Sequence, residues 1–429
     1  MKQKLIFLKN NTLRKKIHGG ALQYVIFISI IIALILSAAI LLNNLQQVFR
    51  IRLNLAKETI HITNEAISYA LNNELEYNRQ IAVVLSEKEQ METFILKKHW
   101  GIFDVLLVSS KIKSENFEKI ALSGGSNRNR PALYLKDKRN PLVLVGTSKI
   151  QGTAYLPERG VKSGYIAGNS YYNSRLIYGA SYKSTSELPK IKNRTYLKTI
   201  SKNNPSSNFS TFSLVSGMQK INSFKNESEV YQSNGVIQLS GIKLTGNIYI
   251  QSDTLIRLKR SCTLKDVILI APRIEIEAGV KGVFQAFATE ELVVKENCEL
   301  LYPTILVLYK SVNKPISKKS FQSKITILEH SKIQGIVGYL SDKNSNTYAS
   351  QIEIEKGARI DGEIYCDKNL DLKGIVNGSV YTSGFVAKQF GSVYQNHLYN
   401  ATINATLLPT QYAGLQLNVK QQNVVKWLY

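Results

Sequence analysis

A chain of 429 residues can bury one large or two modest cores, and its 44% hydrophobic content excludes an intrinsically disordered protein. Its 55 Lys and Arg against 31 acids leave a formal net charge of +24, which favours anionic partners: anionic glycan, acidic lipid headgroups or nucleic acid. Three cysteines, Cys262, Cys298 and Cys366, cannot all pair within one chain and lack metal-ligand spacing, so they read as small core fillers, not a disulfide framework.

Residues 1–20 carry Lys2, Lys4, Lys9, Arg14, Lys15 and Lys16 and no acid. Residues 21–42 then run without charge, Pro or Gly. At about 1.5 Å per residue a helix over that run reaches roughly 33 Å, enough for a hydrocarbon core of about 30 Å. Arg50, Arg52 and Lys57 form the weaker basic flank, so the positive-inside bias puts the N-terminus in the cytoplasm. The expectation is a single-pass protein of the cytoplasmic (inner) membrane, with a periplasmic or extracellular ectodomain. Over residues 43–80, Leu45, Val48, Phe49, Leu53, Ala56, Ile60, Ala66, Ile67, Ala70 and Leu71 recur mostly at three- and four-residue steps, which predicts a helical stalk continuous with the span.

Lys15-Lys16-Ile17-His18-Gly19-Gly20, followed by Ala21-Leu22 and the apolar run, resembles a type IV pilin-like leader of the minor-pilin type. Residues 54–71 are similar to the amphipathic helix that follows in those proteins. The resemblance implies cleavage between Gly20 and Ala21 by a prepilin peptidase, and assembly through the N-terminal helix into a filament or secretion-type machine. The fifth mature residue would be Val25, where major pilins carry Glu; some tip pseudopilins share that departure. The alternative is an uncleaved single-pass anchor.

Residues 81–130 read as a small α+β module. A short helix is expected over 87–98 and strands over 103–109 and 117–122, with Gly124-Gly125-Ser126-Asn127 as a break. From residue 131 the chain becomes strand-rich and repeats itself. Ser148-Lys-Ile-Gln-Gly152 recurs at Ser331 to Gly335, and the block Ile274 to Val280 is echoed at Ile352 to Ala358. An apolar residue, any residue, then Gly appears at Gly152, Gly246, Gly282, Gly335, Gly362 and Gly378.

Short alternating strands with a Gly at the corner predict a mainly β chain built as a β-solenoid, in which each coil stacks on the next. The step from Gly362 to Gly378, 16 residues, fits one coil. Residues 351–384 resemble bactofilin-type β-helix rungs. A β-sandwich is the competing fold. The resulting division is a first β unit at 131–182, a polar insertion or linker at 183–234, a solenoid at 235–408 and a docking tail at 409–429, which would cap the last rung.

No motif for chemistry emerges. The pairs Glu275/Glu277 and Glu353/Glu355 could serve glycoside hydrolysis, but they alternate with Ile as a solvent-facing strand edge does. The five histidines are scattered, with no H-E-x-x-H. Gly179 to Ser184 imitates a phosphate loop, but Tyr182 stands where that motif needs Gly. The expected protein is a non-enzymatic, structural or adhesive envelope protein with no catalytic, cofactor or metal residue. The alternatives are an anionic-glycan-binding protein or glycan-acting enzyme that uses the β-helix face, and a surface DNA-capture protein.

Overall fold

The computed structural model describes residues 20–85, 91–201, 209–211, 213–215, 217–311, 323–342, 348–389, 391–417 and 421–428. The basic segment before Gly20 lies outside the described residues, so the leader motif is represented there by Gly20 alone. The chain is mainly β, with one long apolar helix at its N-terminus.

Helix α1 (Gly20–Asn72) is continuous over 53 residues and is long and apolar enough to cross a membrane. It stops earlier than the expected stalk. The Asn72 and Asn73 amides fold back onto the carbonyls of Ser68 (2.8 Å) and Tyr69 (2.9 Å), a local alternative to further helix. The first half of α1 is exposed, whereas Thr59, Ile62, Thr63, Ala66, Ile67 and Ala70 are buried at three- and four-residue steps. Ala66, Ile67 and Ala70 pack with Ile95, Leu106, Val108 and Ala121 of an antiparallel sheet.

That sheet is built from Met91–Trp100, Phe103–Ile112 and Glu115–Gly125, with Gln80–Ala82 on one edge. The helix expected over 87–98 is therefore corrected: the described part is strand. Burial alternates along it at Thr93, Ile95 and Lys97, and it pairs from Met91↔Ile112 to Trp100↔Phe103 across a two-residue turn. The period is two, and β-branched Thr93 and Ile95 take two of the buried places.

Most of the remaining strands join one barrel-like, closed sheet whose pairings are parallel, save for a hairpin between Ile375–Gln389 and Ser392–Gln395. Leu142–Val145, Val161–Ser163 and His397–Tyr399 pair in a separate parallel sheet, and Tyr165–Ile166 with Asn169–Ser170 forms a small antiparallel one. Successive strands stack in register: Ile333↔Ile360↔Val376 and Leu264↔Gly282↔Leu300 are inward columns. Their apolar side chains form a continuous core that includes all three free cysteines.

The expected first β unit is not separate. Leu133–Leu135 pairs with Val380 to Thr382, Thr402–Asn404 with Lys149–Gln151, and Ala154–Leu156 with Ser181–Lys183. Residues 133–183 thus extend the stack beyond its C-terminal coils, although they precede those coils in sequence. The expected insertion is also narrower than 183–234. Gln219–Asn222 and Ser228–Ser233 pair with Lys243–Ser252 inside the sheet, and helix α2 (Arg194–Ile200) buries Leu197 and Ile200.

The tail does not cap the last coil. Gln422–Leu428 adds to the open edge of Glu115–Gly125, in antiparallel register, where strand hydrogen bonds were unfilled. A second core lies between this antiparallel sheet and the outer face of the stack. It joins Trp100, Ile102 and Phe103 to Phe287, Ile305, Val307 and Ile336. Buried Gln285 projects outward from the stack and caps the turn above it. It accepts from Ile102 N (2.9 Å) and donates to Trp100 O (3.1 Å). The antiparallel sheet therefore bridges α1 to the stack.

Candidate functional site

The sequence-selected glycines fall into place unequally. Gly335, Gly362 and Gly378 face one another on three successive coils, with φ of 148°, 155° and 151°. Gly152 (φ 119°) lies further along, against Ala405, and Gly246 (φ 99°) packs on the backbone of Asn222. Gly282 differs, since it occupies the inward column of Leu264 and Leu300 without a left-handed φ. The Phe284 ring lies 3.4 Å from where its Cβ would stand and uses that space. Gly20 opens α1 with no neighbour near its own missing Cβ, and Ala21 is exposed.

The paired glutamates meet cations of adjacent coils. Glu275 pairs with Arg257 (2.7 Å), Glu277 with Lys295 (3.0 Å) and Lys259 (3.4 Å), and Glu355 with Lys373 (3.0 Å). Glu353 is held by Lys388 and by Lys324 (3.1 Å). Burial works to raise its pKa, but bonds from Lys388, Ser350 and Lys324 outweigh that and bring it down to about 2. These are cross-coil ion-pair ladders. Among the described residues, no group of three His, Cys, Asp or Glu could hold a metal.

Asp371 is the exception on this face. It stacks directly beside Glu353, is buried, and makes no side-chain hydrogen bond among the described residues. Burial, with the charges of Glu353 and Glu355 against those of Lys373 and Lys388, pushes its carboxyl up to about 6. A folded pKa raised above that of the unfolded chain means that ionisation disfavours the fold. This group therefore weakens the protein as pH rises from about 4 to 6. Asp371→Asn should stabilise the protein by about 1–3 kcal/mol at pH 7 and leave it unchanged below about pH 4. Thermal unfolding at the two pH values checks this; an equal effect at both would refute it.

Sequence reasoning missed two features. First, Tyr365, Tyr381, Tyr134, Tyr155 and Tyr182 share one register position on five consecutive coils. Ring centroids follow at 6.3, 6.4, 5.3 and 5.5 Å, two pairs stacked and two tilted, and Tyr182 ends the column exposed. Second, buried Asp104 gathers Lys97 (3.2 Å), His99 (3.3 Å), Tyr77 (3.2 Å), Gln416 (2.9 Å) and Gln422 (3.3 Å). His99 is stacked between Tyr77 and Tyr196. Lys97 at a core-facing place of an alternating strand, and Asp104 within an apolar run, were the available signals.

Comparison with family models, curated proteins and solved structures finds no match. The functional reading rests on the geometry alone.

The surface that asks for a partner is on α1. Beyond residue 42, Leu45, Val48, Phe49 and Leu53 are exposed at 59%, 50%, 62% and 43%. With Ala56 and Ile60 they follow helical spacing, so they form one apolar stripe past the length that a membrane needs.

Proposed function

We propose that this is a non-enzymatic, single-pass envelope protein that displays a β-solenoid outside the cytoplasm as a structural or adhesive element. The observation that carries the reading is α1: an unpartnered apolar half, continuous with a half locked onto the ectodomain by Ala66, Ile67 and Ala70. The apolar half inserts into the membrane, and the stripe from Leu45 to Ile60 packs on helices of neighbouring subunits. That use of the helix fits the minor pilin-like resemblance, with processing between Gly20 and Ala21. The solenoid reading is supported by parallel in-register pairing over successive coils and by the column Gly335–Gly362–Gly378.

A reporter fused after Tyr429 should be active only outside the cytoplasm. The intact mass of protein from native membranes should correspond to a start at Ala21, and Gly20→Arg should retain the longer form. Reporter activity in the cytoplasm refutes the topology, whereas a mass that includes the first 20 residues refutes processing and leaves a plain anchor.

The adhesive half of the reading has its own support. Residues 131–183 bring Lys136, Lys138, Arg139, Lys149, Arg159, Lys162, Arg175 and Lys183 to one end of the stack, against Asp137 and Glu158. Such a field favours an anionic polymer.

A further inference from the structure

The core-facing columns of the stack are apolar along their length and turn polar at its two ends. One column runs by register from Leu306 through Val337, Ile364, Val380 and Leu133 to Ala154, every member buried. Its next member, on the last coil, is Ser181. On the same coil Lys183 stands over buried Leu156, and Ser163 stands over buried Leu144. All three are exposed. The strand has not slipped by one residue, because Tyr182 between them continues the outward tyrosine column from Tyr155.

At the opposite end a charged pair makes the same change. Lys220 stands over buried Leu244, and Glu229 over buried Ile248. Both registers face the core, and the two side chains, 29% and 22% exposed, form an ion pair of 2.8 Å across its mouth. Ser210 follows over Glu229. At the first end the Lys183 ammonium lies 3.6 Å from Glu158 with both groups in solvent, so its charge stays hydrated. On the coils between, Arg257, Glu275 and Glu353 occupy outward positions, flanked by core residues on either side.

An end coil is a sheet edge over an open apolar core, the arrangement on which a further coil adds. Val161 and Ile177 keep the last layer partly apolar, half-buried against the core. We propose that Ser163, Ser181 and Lys183 at one end, and the Lys220–Glu229 pair at the other, terminate the stack and prevent a second copy of this chain from adding to it end to end. Addition would press an ammonium or an ion pair against apolar side chains, where charge without hydration is costly. Joining like ends sets Lys183 against Lys183. Joining unlike ends gives Lys183 no free acid, because Glu229 is held by Lys220. Subunits gathered through α1 meet at high local concentration, and terminated ends keep their solenoids separate there. That use rests on the envelope reading, whereas the termination itself rests on register alone.

The test uses the full-length protein in detergent. Ala180→Cys places a thiol on the exposed last coil, and the three native cysteines are buried. With Lys183→Leu added, bismaleimide cross-linking between copies should be at least about tenfold faster than in Ala180→Cys alone, and the sedimenting mass should rise with protein concentration. Ser163→Val and Ser181→Val should strengthen both effects. The double variant Lys220→Leu, Glu229→Leu should raise the sedimenting mass in the same way from the other end. Lys183→Arg, which keeps the charge, should match the parent. So should Lys162→Leu, which removes a charge from an outward position of the same coil. Thermal midpoints at low concentration should be equal across the Lys183 and Lys162 variants, which separates association from misfolding. Equal cross-linking with and without Lys183→Leu overturns the inference, as does equal cross-linking in Lys162→Leu and Lys183→Leu. Association through α1 is common to every variant and cancels in the comparison. A reporter active in the cytoplasm refutes the envelope reading and leaves these differences in place, so the two failures are distinguishable.

Discussion

Gly362→Val and Gly378→Val should each destabilise the β-stack by about 2–5 kcal/mol, the sum expected from backbone strain and overpacking together. Both glycines hold a left-handed φ, at 155° and 151°, that a β-branched residue does not adopt without strain. Space adds a second penalty. A Cβ on Gly378 would run into the carbonyl oxygen of Gly362, and one on Gly362 into that of Gly335. A coil that lifts to relieve the clash also loses the hydrogen bonds of its neighbours, so the damage spreads along the stack. Gly168 supplies the control: it has a left-handed φ of 88° but nothing within 4 Å of its Cβ position. Gly168→Ala should cost about 1 kcal/mol from conformation alone. Thermal unfolding of the full chain reads all three, because removal of residues before 131 would uncover the outer core around Phe287 and Ile336. Wild-type midpoints for Gly362→Val and Gly378→Val would show that the close approach is not real.

The glycine column was legible because steric need repeats with the coil: apolar residue, spacer, Gly recurs wherever the backbones come closest. The same pattern misread Gly282, since a matching tripeptide does not fix its register, and Phe284 takes the volume there. Gly125 shows the opposite error. It reads as part of a plain break, yet it exchanges backbone hydrogen bonds with Gly414 (2.9 and 2.8 Å), and a side chain there would strike the carbonyl of Leu415. Nothing local to residues 124–127 announces a segment nearly 300 positions away.

Stacking order was illegible for a related reason. Alternation says which face of a strand is buried, but not which coil it joins, so residues 131–182 looked like a separate unit. The tyrosine column shares that origin. Tyr365 and Tyr381 are one coil apart in sequence, whereas Tyr134, Tyr155 and Tyr182 reach the same column only because the chain returns to extend the stack.

The largest single-residue effect is expected at Asp104. Asp104 and Lys97 are 0% and 3% exposed, and their ion pair of 3.2 Å stands where three segments of the chain converge. Tyr77 arrives from the segment after α1, His99 from the antiparallel sheet, and Gln416 and Gln422 from the tail. Asp104→Asn leaves the Lys97 ammonium buried without its counter-ion, for which the expected loss is about 3–5 kcal/mol. The double variant Lys97→Met, Asp104→Asn should recover much of that loss, because no lone charge then remains buried. Burial works to raise the Asp104 pKa, but His99, Lys97 and Gln416 together hold it below the usual carboxylate range. A depressed folded pKa means that the stabilisation is present above the unfolded value near 4 and is lost only as pH falls through the lower folded one. Wild type should therefore keep this junction at pH 5, and Asp104→Asn should weaken it across that range. Fluorescence gives a direct view, because the two tryptophans, Trp100 and Trp427, both belong to the antiparallel sheet. Their emission should change at lower temperature in Asp104→Asn than in wild type, with the double variant between them. Coincident transitions in all three proteins would mean that the ion pair does not hold α1 and its sheet to the stack.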